Sequence, residues 1–276
     1  MMKIMYSLII AMMMLFQTRA IGQTKDTLVD VGSHKLHFTI KAGIGVPIIF
    51  ESGAGNDGSV WKEIFKKLSH RTNAPLITYD RAGFGKSEID SNHINITNEV
   101  NDLYSALKIL KFTENYFFVA HSLGGNYVMK FISNSPKKVK GAVFIDIVSP
   151  YFMTSKRATY TKELFRDSIQ AIKKESIGFY HLVLNYENTS EIMRQVAPAI
   201  ETPLTIIASG ITPFEGEDRQ HFKDGLKRFA MDKKNRTYIL AEKAEHYVFY
   251  DDPQLVIDEI IKLYHQVKKN KIHMNR

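Results

Sequence analysis

The chain has 276 residues, a formal net charge of +8 and no cysteine. Without cysteine there are no disulfides, no thiolate nucleophile and no cysteine-held zinc or iron–sulfur centre. An apolar fraction of 44% against 24% charged residues excludes a disordered or low-complexity polypeptide.

In chain order, the first feature is an N-terminal leader. Lys3 precedes an apolar run from Ile4 to Phe16, and Thr18-Arg19-Ala20 ends in a small residue. The pattern reads as a secretory signal peptide over residues 1–22, cleaved after Ala20 or Gly22, and implies a secreted or periplasmic protein. The run is shorter than the roughly 20 residues that span a bilayer. No integral membrane span is therefore expected after cleavage. An uncleaved N-terminal anchor is the competing reading. Removing Lys3 and Arg19 lowers the charge from +8 to +6. The remaining lysine clusters, at residues 137–140, 233–236 and 268–271, lie beside predicted element ends, where solvated cations are ordinary. No nucleic-acid signature accompanies them.

From residue 23 onward strand and helix patterns alternate. Leu28–Val31 and Lys35–Ile40 form an opening antiparallel pair turned at Gly32-Ser33. Short apolar runs at Pro47–Ser52, Leu76–Tyr79, Tyr116–Ala120, Val139–Ile145, Leu204–Ala208 and Thr237–Ala241 read as buried strands. Helical spacing occupies Val60–Leu68, Ile96–Leu110, Asn126–Ile132, Phe222–Phe229 and Leu255–Val267, the last opened by Asp252-Pro253. Strands this apolar, separated by helices, predict an α/β fold with a mostly parallel sheet covered on both faces. Residues 150–201 lack a buried-strand pattern and read as a helical cap inserted between two core segments, 23–149 and 202–276.

The chemistry concentrates at strand ends. Ala120-His121-Ser122-Leu123-Gly124-Gly125 follows a strand and precedes a helix, the context of a nucleophile elbow G-x-S-x-G with alanine in first place. Three further segments accompany it: Phe50-Glu51-Ser52-Gly53-Ala54-Gly55, Tyr79-Asp80-Arg81-Ala82-Gly83-Phe84-Gly85-Lys86-Ser87, and Glu245-His246-Tyr247 before the terminal helix. Together, and in this order, they resemble the α/β-hydrolase superfamily over essentially the whole chain after the leader. The first resembles the oxyanion loop, with Ser52 where histidine is common. The second is similar to the D-x-x-G-x-G-x-S turn, and the third resembles the segment that carries the catalytic histidine.

A neutral serine hydroxyl is a poor nucleophile, so Ser122 needs a base within hydrogen-bond reach and donors for the oxyanion it creates. His246 alone among the histidines follows the last strand, which favours it as the base. His121 adjoins the nucleophile but is expected to be structural. The backbone N–H groups of Leu123 and Ala54 are the expected oxyanion donors. The acid stays open. Most members of the superfamily carry it after the strand Leu204–Ala208, but Ser209-Gly210-Ile211-Thr212-Pro213 holds no carboxylate, and Glu215, Glu217 and Asp218 come later. Asp146 ends the preceding strand, where some haloalkane dehalogenases place theirs, and a buried aspartate there needs a partner. Asp146 is the first choice, with Glu217 or Asp218 as alternatives. Asp80 and Arg81 are expected to pair and brace their turn.

The expected protein is a serine hydrolase of esterase or lipase type acting on a small ester or related acyl compound, without cofactor or metal. Tyr151, Phe152, Phe179, Tyr180 and Leu184 of the cap are the candidate pocket wall. A serine rather than an aspartate at the elbow argues against dehalogenase and epoxide hydrolase chemistry. The competing reading is a non-catalytic protein that binds a small ligand on the same fold.

Overall fold

A computed structural model describes residues 24–274, with side chains described to residue 268. The proposed leader lies outside the described residues. Eight strands form one sheet: β1 Thr24–Asp30, β2 Lys35–Lys41, β3 Ile48–Glu51, β4 Leu76–Tyr79, β5 Tyr116–His121, β6 Val139–Ile145, β7 Leu204–Ser209 and β8 Arg236–Ala241. Their order is β1-β2-β4-β3-β5-β6-β7-β8. Strand β2 runs antiparallel to both its neighbours, and every pairing from β4 to β8 is parallel. The central strands are buried at every position because helices cover both faces, which is why they read as continuous apolar runs.

Alternate residues of β5 divide the core. Tyr116, Phe118 and Ala120 face one cluster, and Phe117 and Val119 the other. The first cluster is closed by α2 (Ile96–Ile109), α3 (Gly124–Asn134) and α8 (Gly216–Met231). The second is closed by α1 (Lys62–Ser69), the short α9 (Val248–Asp251) and α10 (Pro253–Met274), around the fully buried Trp61 and Phe249. Between β6 and β7 the chain forms four helices: α4 Ser155–Glu163, α5 Ile169–Glu175, α6 Ile177–Leu184 and α7 Tyr186–Val196. Helix α6 docks on the turn after β4, where a Cβ added to Gly178 would lie 2.7 Å from the Gly83 carbonyl carbon and oxygen.

Of the elements that exceed their predicted lengths, β1 and α8 show the physical reason. Strand β1 includes Thr24–Thr27, which the sequence pattern missed because this first half of an edge strand is mostly exposed and no alternation marks it. Helix α8 spans 16 residues, but its first turns are polar and its buried face begins at Phe222.

The elbow depends on a close approach of α3 to β3. A Cβ on Gly124 would lie 2.6 Å from the Ser52 carbonyl oxygen and 2.8 Å from that of Glu51. Backbone atoms cannot swing aside as a flexible side chain can. Gly124→Ala is therefore expected to destabilise the fold by about 1–3 kcal/mol, the usual range for overpacking. Urea unfolding measures this, and an unchanged midpoint would mean the helix has room to move.

Candidate active site

Ser122 sits between β5 and α3 with φ +52°, in the left-handed region that side chains rarely occupy. Its N–H donates to the Ile145 carbonyl at 3.0 Å, which fixes the tight turn and presents the hydroxyl above the sheet edge. His246 lies in the loop between β8 and α9. Its Nε2 is 3.0 Å from Ser122 Oγ, and its Nδ1 is 2.7 Å from Asp146 Oδ2. With Nδ1–H donating to the carboxylate, Nε2 is free to accept the serine proton.

Asp146 follows β6, also at positive φ (+44°), and is fully buried. The Ser209 backbone N–H donates to its Oδ1 at 2.8 Å, and the Ser209 hydroxyl to its Oδ2 at 2.9 Å. With His246, three donors satisfy a carboxylate that would otherwise be costly to bury. The end of β7 thus carries no carboxylate of its own and supplies donors to Asp146. Ser209 was the residue that sequence reasoning passed over, and its signal was a hydroxyl where a carboxylate is usual.

The competing acids lie elsewhere. Asp218 takes both terminal nitrogens of Arg157, at 2.5 and 2.7 Å. Glu215 and Glu217 are exposed at the start of α8.

His121 is 1% exposed, and its Nε2–H donates to the His246 backbone carbonyl at 3.0 Å. Burial first, and the neighbouring His246 second, push its pKa down to about 3. In the unfolded chain this imidazole protonates near its ordinary 6.5, so between the two values the unfolded state holds more protons. The stability His121 contributes is present above pH 6.5 and lost as pH falls toward 3, roughly 5 kcal/mol over the full window. His121→Gln is expected to flatten the acid limb of the stability profile between pH 6 and 4. Equal slopes in urea titrations of the two proteins would contradict a neutral buried His121.

The N–H groups of Leu123 and Ala54 have no hydrogen-bond acceptor among the described residues. The loop carrying Ala54 lies against the elbow: a Cβ on Gly53 would sit 3.2 Å from Ser122 Cβ. Asp80 and Arg81 do not pair with each other, contrary to the sequence expectation. Successive residues leaving a strand face opposite ways. Asp80 accepts from the Gly58 and Lys86 N–H groups and meets His37 Nδ1 at 2.9 Å. Arg81 turns to the other face and pairs with buried Glu51 at 2.7 Å.

The five wall candidates scatter. The Tyr151 hydroxyl donates to Asp232, and Arg228 lies 4.0 Å above the ring, so this side chain is committed to α8. Phe152 is buried between Phe214 and Phe222. Phe179 is half-buried edge-on to Phe165, Tyr180 packs under Lys173, and Leu184 is 43% exposed. Among the described residues no group of three or more histidine or acidic side chains is placed to hold a metal, and no helix is long and apolar enough to cross a membrane.

Eight strands in this order with a strained serine after β5 define an α/β-hydrolase scaffold, and residues 46–171 match the family of that fold. The chain has the α/β-hydrolase fold. An esterase from Thermogutta terrifontis superposes with TM-score 0.65 at 17% identity, over 89% of this chain and 99% of that one. A bromoperoxidase from Bacillus anthracis gives 0.67 at 17%, over 87% and 100%. In sequence, the protein YqjL of Bacillus subtilis is 24% identical over 217 residues, 78% of this chain and 82% of the relative.

Proposed function

We propose that the protein is an exported serine hydrolase that cleaves an ester or related acyl compound. The observation that carries this reading is the continuous relay from Asp146 through His246 to Ser122, with contacts of 2.7 and 3.0 Å. Ser122 Oγ attacks the acyl carbon while His246 Nε2 takes its proton. The carbonyl electrons move to oxygen, where the N–H groups of Leu123 and Ala54 receive them. As the tetrahedral adduct collapses, the bond to the leaving alkoxide breaks and His246 returns the proton to it. Water, deprotonated by the same imidazole, then releases the acid and restores Ser122. Asp146 holds the histidine tautomer and stabilises the imidazolium. Of the proposed wall residues, Phe179 is the one retained. It is half-buried on α6, the helix that docks on the turn after β4. Export rests on Lys3 and the apolar run that follows.

The test is turnover of p-nitrophenyl esters of graded acyl length, with lactones and anilides alongside. Ester hydrolysis with a length optimum is expected. No turnover in any of the three classes would leave the fold as a non-catalytic binding protein.

A further inference from the structure

The peptide unit joining Gly53 to Ala54 has two working ends. Its N–H, on Ala54, is one of the two donors assigned to the oxyanion. Its carbonyl, on Gly53, accepts from a terminal nitrogen of Arg81 at 2.7 Å. In a trans peptide the two point in opposite directions, so whatever fixes the carbonyl fixes the N–H. The preceding carbonyl, on Ser52, accepts from the other terminal nitrogen of Arg81 at 2.5 Å. One planar guanidinium therefore grips two consecutive carbonyls of the loop that faces Ser122.

We propose that Arg81 is a positioning residue for catalysis, holding the Gly53–Ala54 peptide so that the Ala54 N–H is aimed at the developing oxyanion and polarised by the adjacent cation. This deepens the hydrolase reading and rests on it.

The surroundings are built to keep that cation in place. Arg81 is 3% exposed and Glu51, on the strand leading into the loop, is fully buried. Glu51 takes one nitrogen of the guanidinium at 2.7 Å and also accepts from the Tyr79 hydroxyl. The rings of Tyr127 and Phe84 lie 4.9 and 5.3 Å from the guanidinium carbon. Burial works against the charge, yet Glu51 and the other groups around it hold the arginine pKa above its ordinary value, so the cation persists. Neutralising Glu51 would need a single contact. The two bonds to the loop carbonyls go beyond that need, and the fork geometry of arginine is what makes them.

That distinction sets the experiment. Arg81→Lys keeps a cation for Glu51 but cannot bridge two carbonyls, while Arg81→Met removes both. The readouts are kcat and KM on a p-nitrophenyl ester, affinity for an alkylboronic acid that forms a tetrahedral adduct on serine, and the thermal midpoint. Arg81→Lys is expected to lower kcat about 10- to 100-fold, less than the roughly 10²- to 10³-fold lost when an oxyanion donor is removed outright, because the Ala54 N–H is misaimed and not deleted. KM should stay within about twofold, and boronate affinity should fall by a factor similar to kcat. Should Arg81→Met fail to fold, Arg81→Lys carries the test alone. A folded Arg81→Lys protein with wild-type kcat and boronate affinity overturns the proposal while leaving the hydrolase reading intact. So does a loss confined to KM or to stability. Absence of turnover in the wild-type protein overturns both.

Discussion

Ser122→Ala is expected to lower kcat by about 10⁶-fold on any ester the protein turns over, with substrate affinity little changed. The reason lies in how few groups share the reaction. Among the described residues His246 has one hydroxyl within hydrogen-bond reach, at 3.0 Å, and Asp146 is fully enclosed behind it. Residual rate would come from the N–H groups of Leu123 and Ala54 and from substrate binding alone. The substitution keeps a Cβ at φ +52°, so the strained turn persists and the thermal midpoint should barely move. Loss of activity with retained stability separates a missing nucleophile from a collapsed elbow. Steady-state kinetics and a melting curve on the same preparation give both numbers.

Asp146→Asn is expected to cost about 10⁴-fold in kcat, as an amide beside Nδ1 no longer enforces the productive tautomer. The informative control is Asp218→Asn. Asp218 and Arg157 form a bidentate but partly exposed pair, with 40% and 21% of their side-chain surfaces open to solvent. Losing that pair should cost at most about 1 kcal/mol of stability and leave turnover within a few-fold of wild type. If instead Asp218→Asn abolishes turnover and Asp146→Asn does not, the acid has been misassigned.

The parallel strands and the elbow were legible because local pattern determines them. Leu76–Tyr79 and Val139–Ile145 are apolar at nearly every position, and their observed bounds match the expected ones. Ser122 was legible because a strand, a short turn of small residues and a helix coincide at it. The meeting of Asp146 with His246 spans 100 residues, and no local pattern encodes such a contact. Asp80 and Arg81 were misread for the same reason. Adjacent in sequence, they leave the strand on opposite faces and find partners at His37 and Glu51. Glu51 carried a signal, a lone carboxylate at the end of the apolar strand Ile48–Glu51, but its partner is 30 residues away. The wall residues were least legible. Aromatic side chains in an inserted helical segment pack inward, outward or onto a neighbouring helix with similar sequence patterns, as Phe152, Tyr180 and Tyr151 do.

The most direct test of the hydrolase reading is covalent capture. The protein would be incubated with a fluorophosphonate and digested, and the adduct located by peptide mass spectrometry. A single stoichiometric adduct on Ser122 is expected, absent in Ser122→Ala and strongly slowed in His246→Ala. An unlabelled Ser122 in a folded protein, or an adduct on another residue that persists in Ser122→Ala, would contradict the assignment of Ser122 as an activated nucleophile.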